Sequence, residues 1–285
     1  MKRNKINENN EVTIFIVATP IGNLNEINQR TIEVLNEVDY ILCEDTRVSS
    51  KLLNHLKIKN KKLESYHLHN EYDKLDSVIK NIKEYKKVAL ISDAGYPLIS
   101  DPGYILVQNA LNENINIVVI NGSNALLPAL ICSGFKTQPF TFIGFVPNKK
   151  SEAIKYLEQF INCKHTLILY ESIHHLSKTL KLICDVFGNV PLSISREITK
   201  LNEEHIYGSA NDLLNADLQL KGELVICLDN SNIDIEVIDI DDDFIEIKVN
   251  EMINENVSKK NAIKQVSKKY GLEKNHVYNV VHKRK

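Results

Sequence analysis

The stretch Val88-Ala89-Leu90-Ile91-Ser92-Asp93-Ala94-Gly95-Tyr96-Pro97-Leu98-Ile99-Ser100-Asp101-Pro102-Gly103 decides how the rest of the chain is read. It opens as an apolar run of the length of a buried strand, breaks on Asp-Ala-Gly, turns at Pro97 and reaches a helix-start signal at Ser100-Asp101-Pro102. Asp101, with Pro at the next position, has the spacing of an N-cap and predicts a helix over 101–112. Asp93 falls at the carboxyl end of the strand, where open parallel sheets hold their ligands, and Gly95 lets backbone approach closely. The competing reading of Asp93 is an Asx-turn bonded only to its own backbone.

Working outward, the same strand-then-loop pattern recurs. Residues 13–18 read as a buried strand running into the loop Thr19-Pro20-Ile21-Gly22-Asn23-Leu24, and Asn28 caps a helix through Val38. Tyr40-Ile41-Leu42-Cys43 is a strand ending on Glu44-Asp45-Thr46-Arg47, with a helix from Ser49 or Ser50 to His55. A strand over 63–66 precedes His67, His69, Asn70 and Glu71, then an amphipathic helix to Tyr85. After the opening stretch come a strand over 117–120 and the loop Asn121-Gly122-Ser123-Asn124-Ala125. Strands alternating with helices predict a first α/β domain over 12–122 with a largely parallel sheet. From 123 to 229 the strands crowd closer together, around a basic loop with Lys149 and Lys150, and predict a second α/β domain with a mixed sheet. Residues 1–11 read as a polar leader and the acidic stretch 230–250 as a linker. Over 251–285 two short helices around Tyr270-Gly271-Leu272 read as a basic helical module of nucleic-acid-binding type, or as a solvated hairpin.

Composition narrows the function. With 285 residues, 43% of them hydrophobic, the chain can build two cores and a small extra module. It has no apolar run long enough to span a bilayer and no apolar signal segment, so it reads as cytoplasmic with no membrane partner. The five cysteines are scattered singly and read as reduced core residues. A net charge of −2 gives no global attraction to nucleic acid, so such binding must come from local basic surfaces. His67 and His69 with Glu71 lack a clear third ligand, so no metal site is expected. P-loop, G-x-G-x-x-G and G-x-S-x-G patterns are absent, which leaves the strand-end loops as the chemistry-bearing feature.

Those loops carry a resemblance. Thr-Pro-Ile-Gly-Asn-Leu at 19–24, Glu-Asp-Thr-Arg at 44–47, Ser-Asp-Ala-Gly-Tyr-Pro at 92–97, Ser-Asp-Pro-Gly at 100–103 and Tyr-Glu-Ser at 170–172 resemble, in their order and spacing, the tetrapyrrole methylase superfamily. Within it they are most similar to the branch that methylates a cytidine ribose 2′-hydroxyl in small-subunit ribosomal RNA. The resemblance implies two α/β domains with S-adenosyl-L-methionine in the cleft between them, near Pro20, Gly22, Asp93, Tyr96, Asn124, Ala125 and Tyr170. It also implies a small-subunit RNA or assembled 30S subunit as substrate, and a homodimer. A ribose hydroxyl is barely acidic, so Glu44, Asp45, His67 and Glu71 are candidate bases, and Arg47, Lys149, Lys150 and Lys200 candidate RNA anchors. Three departures stand out: Tyr96 replaces a common Thr, Asn121-Gly122-Ser123-Asn124 replaces Pro-Gly-Pro-Ser, and Ile173-His174-His175 replaces Pro-His-Arg. Tyr96 is expected to narrow the cofactor pocket or stack on adenine. The alternatives left open are a small-molecule tetrapyrrole methylase and a catalytically inactive RNA-binding or ribosome-assembly protein.

Overall fold

The computed structural model describes residues 12–216, 218, 220–231, 242–254, 257–270 and 272–283; the expected leader over 1–11 and residues 232–241 of the expected linker lie outside the described residues. The first lobe runs β1 (Thr13–Val17), α1 (Gln29–Glu37), β2 (Tyr40–Cys43), α2 (Thr46–His55), β3 (Lys62–Ser65), α3 (Glu71–Tyr85), β4 (Lys87–Ile91), α4 (Tyr104–Asn112) and β5 (Asn116–Ile120). Its sheet has the order β3-β2-β4-β1-β5, and every pairing is parallel. β1, β2 and β4 are apolar and buried because helices cover both faces. On one face Val34 and Leu35 of α1 and Leu53 of α2 pack on Phe15, Val17, Ala89 and Ile91. On the other, Val78 and Ile82 of α3 and Leu106 and Ala110 of α4 pack on Ile14, Ile16, Leu42 and Leu90.

The second lobe runs α5 (Leu126–Cys132), β6 (Phe140–Phe145), α6 (Lys150–Glu158), β7 (Thr166–Ser172), α7 (Leu176–Phe187), β8 (Pro191–Arg196), β9 (Glu204–Ser209), α8 (Ala210–Asn215) and β10 (Glu223–Asp229). Its sheet, β6-β7-β10-β8-β9, joins one parallel pair to three antiparallel ones, the mixed sheet that the crowded strands predict. α6, α7 and α8 cover one face. α5 covers the other, and Ile21 from the loop after β1 packs beside it, so a first-lobe loop is anchored in a second-lobe core.

Three sequence expectations are corrected. α2 begins at Thr46 rather than at Ser49 or Ser50, because the Asp45 carboxylate accepts the Arg47 N–H at 2.8 Å and caps it. α4 begins at Tyr104, behind Gly103, so Asp101 is not its cap. The chain cannot be helical there: Leu98, Ser100 and Gly103 hold φ of 72°, 69° and 127°. A Cβ on Gly103 would also stand 2.8 Å from the Leu90 side chain. The third correction concerns the acidic stretch, which contains a helix, α9 (Asp242–Asn254), whose Ile245 and Val249 join α10 (Lys259–Lys269) and α11 (Lys274–Lys283) around Ala262, Val266 and Val277. This is a compact unit of its own, separate from residues 1–233. Its first helix is hidden in the sequence by the flanking aspartates, which suit a helix N-terminus as well as a linker.

Glu71, only 6% exposed, accepts the Gly103 N–H at 3.1 Å and so ties the start of α3 to the start of α4. Glu71→Ala leaves that buried donor unpaired and is expected to cost about 1–3 kcal/mol of stability. Urea unfolding of the two proteins measures it, and coincident midpoints would show that the bond contributes nothing.

Candidate active site

The site follows from strand order. β1 leads to α1 on one face of the sheet and its neighbour β4 leads to α4 on the other, so the two chains diverge at their carboxyl ends and leave a crevice. Reciprocal backbone bonds of 2.9 and 3.0 Å between Thr19 and Gly95 bridge the crevice floor. The Thr19 hydroxyl adds a bond to the Ser92 carbonyl at 3.1 Å. From β2, the Asp45 N–H donates to the Asp93 carboxylate at 3.2 Å. From β5, the Gly122 N–H donates to the Tyr96 hydroxyl at 3.0 Å, Asn28 donates to the Asn121 carbonyl, and the Ser123 hydroxyl donates to Glu26 at 2.8 Å. Four strand-end loops are thereby tied into one surface.

Three carboxyl groups of this surface, Glu44, Asp93 and Asp101, are linked electrostatically. Burial first, and then the charge of Asp93, raises the pKa of Glu44, which His67 partly offsets. Asp93 is also raised, mainly by burial, against the Asp45 N–H that favours its charged form. Asp101 is pushed up to about 7, by burial first and then by the charges of Glu44 and Asp93. Its place here is what the capping reading missed: Ser100-Asp101-Pro102 looks locally like a helix start, and only the left-handed turn before α4 sends the carboxyl to the crevice. Across the crevice Tyr170 of β7 packs edge-on against Phe142 at 4.8 Å. Its hydroxyl is raised to about 12, by burial first and then by Asp101.

The other sequence candidates divide. Asp45, held down to about 2 by the Arg47 side chain, is a helix cap and too weak a base at neutral pH. Arg47 folds back on it at 2.6 Å while staying largely exposed. Glu71 is committed to Gly103. His67 neighbours Glu44, with its backbone N–H bonded to Asn70 and its Nδ1 buried without a partner. Pro20 and Gly22 lie on the β1 loop, where the stem of Lys200 from the β8–β9 connection presses so closely that a Cβ on Gly22 would stand 2.5 Å from it. Lys200 itself pairs with Glu197 at 2.9 Å. Tyr96 spends its hydroxyl on Gly122 and Asn121, which pins it to the β5 loop. Asn124 accepts the Leu127 N–H at 2.9 Å at the head of α5, next to Ala125, which packs in the second-lobe core. Lys149 and Lys150 stand apart at the start of α6, Lys149 paired with Glu152 at 2.9 Å.

The donor set suits a cation. Glu44, Asp93 and Asp101 make the crevice anionic, which favours a positively charged sulfonium and repels a phosphate-bearing cofactor. The close backbone approach of Gly122 to Ala18, where a Cβ would stand 2.8 Å away, keeps the floor low. Among the described residues no group of three or more His, Cys, Asp or Glu side chains is arranged to hold a metal ion.

Two α/β lobes with a carboxylate-lined crevice at a topological switch point define the class of α/β proteins that bind a ligand at the strand ends. The family described as Tetrapyrrole (Corrin/Porphyrin) Methylases matches residues 13–214, and the chain belongs to it. It is an S-adenosyl-L-methionine-dependent methyltransferase. Ribosomal RNA small subunit methyltransferase I of Halalkalibacterium halodurans is 40% identical over 95% of this chain and 94% of its own. The protein of the same name from Mycoplasma genitalium is 36% identical over 95% and 98%. Among solved structures, uroporphyrin III C-methyl transferase from Thermus thermophilus aligns with a TM-score of 0.53 at 14% identity, covering 76% of this chain and 96% of that one. Diphthine synthase aligns at 0.58 and 10% identity, covering 76% and 89%. These two share the fold.

Asp101 makes stability depend on pH. Its folded pKa of about 7 lies above the ordinary 3.8, so between those values the folded protein holds a proton that the unfolded chain has released. Stability contributed this way is present below about 3.8 and is lost as pH rises through about 7. Asp101→Asn lacks the loss, so its melting temperature should gain on wild type between pH 5 and pH 8. A constant difference would mean that this carboxyl titrates as it does in water.

Proposed function

We propose that this protein methylates the ribose 2′-hydroxyl of a cytidine in small-subunit ribosomal RNA, acting on free RNA or on the assembled 30S subunit, in the cytoplasm. The observation that carries the reading is the convergence of Glu44, Asp93 and Asp101 from three loops onto one crevice. Similarity over nearly the whole chain to small-subunit ribosomal RNA methyltransferases supports the substrate class. In this reading residues 12–122 and 123–229 act as two domains that hold the cofactor between them. The loops with Pro20, Gly22, Asp93, Tyr96, Asn124 and Ala125, together with Tyr170, form its pocket.

When bound, the cofactor supplies an electrophilic methyl group on a sulfonium and leaves as a neutral thioether. Asp93 and Glu44 favour that cation electrostatically, and the tied loops fix where a hydroxyl can stand in line with it. Asp101 accepts the hydroxyl proton as the carbon–oxygen bond forms, which its near-neutral pKa allows. Arg47, Lys149, Lys150, Lys200 and, on α10 and α11, Lys259, Lys260, Lys264 and Lys274 meet RNA phosphates. Exposed Leu127 and Ile131, one turn apart on α5, with exposed Tyr207 bonded to the Cys132 carbonyl at the end of that helix, support a homodimer through this face. In this reading Ile131→Asp yields a smaller species by light scattering, and an unchanged mass would remove this face from any interface.

Ribose-methylation mapping of small-subunit RNA from cells with and without the protein tests the activity: one 2′-O-methyl is expected to vanish, and an unaltered map would defeat the reading. With purified protein, Asp101→Asn should lower kcat by about 10²-fold or more and abolish the rise of kcat through pH 7. An intact pH profile would move the base elsewhere.

A further inference from the structure

Beside the crevice lies a cavity of about 220 Å³ lined by Thr19, Pro20, Leu24, Val48, Leu52 and Asp93, with Lys51 and His55 also on its wall. α2 forms one side of it, and the order of residues on that helix is informative. Val48 and Leu52, four apart, lie in one row, and Arg47, Lys51 and His55, again four apart, lie in the next. An apolar row therefore faces the cavity while a basic row runs along its border. Leu24 and Val48 are 40% and 38% exposed, so the cavity presents apolar side chains to solvent rather than to the core. Asp93 and Pro20 belong both to this cavity and to the crevice loops.

We propose that this cavity receives the splayed-out base of the RNA nucleotide being methylated, with the flanking phosphates along Arg47, Lys51 and His55; the proposal rests on the RNA reading above. A nucleobase has two flat apolar faces, which suit the slot between Leu24 and Val48–Leu52. Single-stranded RNA is read by inserting unstacked bases in this manner. The phosphates on either side of a base need cations at the rim of its pocket and not at its floor, which is where the basic row stands. The cavity of about 220 Å³ opens to solvent, so a base can enter it while its ribose and phosphates stay outside. A base held there leaves its ribose at Pro20 and Asp93, next to Asp101.

Leu52→Trp fills the cavity from its wall, and Lys51→Glu reverses the charge of its basic edge while leaving the apolar row of Val48 and Leu52 intact. The measurements are calorimetric binding of S-adenosyl-L-methionine and the rate of methyl transfer to purified small ribosomal subunits. Leu52→Trp should lower kcat/KM for the subunits at least about a hundredfold while the cofactor Kd stays within twofold of wild type; retained cofactor binding also reports a folded protein. Lys51→Glu should raise KM for the subunits with little change in kcat, and flatten its dependence on salt. Methyl transfer at the wild-type rate by both variants would overturn the proposal, as would a large loss of cofactor binding in Leu52→Trp, which would assign the cavity to the donor. If wild type itself transfers no methyl group to RNA, the RNA reading falls and the proposal with it, a result distinct from a variant that fails alone.

Discussion

The two backbone bonds exchanged between Thr19 and Gly95 are the constraint on which the chemistry of this molecule depends. β1 and β4 pair in parallel register, Val17 opposite Ile91, so their loops leave the sheet at the same level and would splay apart toward opposite faces. The bridge holds them together for one more step. Gly95 achieves this with a φ of +78°, a left-handed conformation that a side chain would strain. The Thr19 hydroxyl and the Ser92 hydroxyl, bonded to Ser92 and Gly95 carbonyls, satisfy the backbone that this excursion would otherwise leave bare. Everything else at the site is attached to this clasp: Asp45 through Asp93, and the β5 loop through Tyr96.

Holding the loops so close puts carboxyl groups where physical chemistry would not choose them. Burial disfavours Glu44, Asp93 and Asp101 as anions; the charge of Asp93 adds to this at Glu44, that of Asp45 at Asp93, and those of Glu44 and Asp93 at Asp101. No lysine or arginine is among the causes acting on Asp101 or Glu44, and Arg47, paired with Asp45, offsets the shift only at Asp93. A fold that retains such a cluster gives up stability at the site. In the reading proposed above, a cation held beside these carboxyls returns part of it, and the burial that chiefly lifts Asp101 also strengthens that attraction.

How far the sequence could reveal this differs from level to level. The parallel sheet is legible because β1, β2 and β4 are continuous apolar runs, which only strands buried on both faces can be. The loops at their ends are legible as well, since Pro20, Gly22, Asp93 and Gly95 interrupt those runs where a ligand surface would lie. Which carboxylates meet is not legible, because it depends on β2 lying next to β4, a pairing of elements far apart in the chain. Asp101 and Asp45 exchange their expected parts for this reason. Local spacing makes Asp101 a cap, yet tertiary packing of Leu98 and Gly103 bends the backbone away from helix. Asp45, which looks chemical beside Glu44, serves as a cap. Glu71 is misleading in a third way: a carboxylate after two histidines suggests catalysis, and its partner, the Gly103 N–H, is reached only through the packing of α3 on α4.

Substrate selection then follows from how α2 divides its surface. Ser49 and Leu53 turn inward and are buried, Leu53 with the sheet core. Val48 and Leu52 face the cavity, Lys51 and His55 edge it, and Arg47 continues their row toward the start of the helix. One ten-residue helix is therefore core, pocket wall and charged border at once, and its angle to the sheet is fixed by the Asp45 cap on one end and Leu53 on its inner face. In the reading proposed above, the donor rests on loops from β1, β4 and β5 while side chains of α2 supply much of the cavity wall, so one fold can take a different substrate without altering the donor site. Changing those side chains changes what stands beside Asp93, and leaves the clasp between Thr19 and Gly95 untouched.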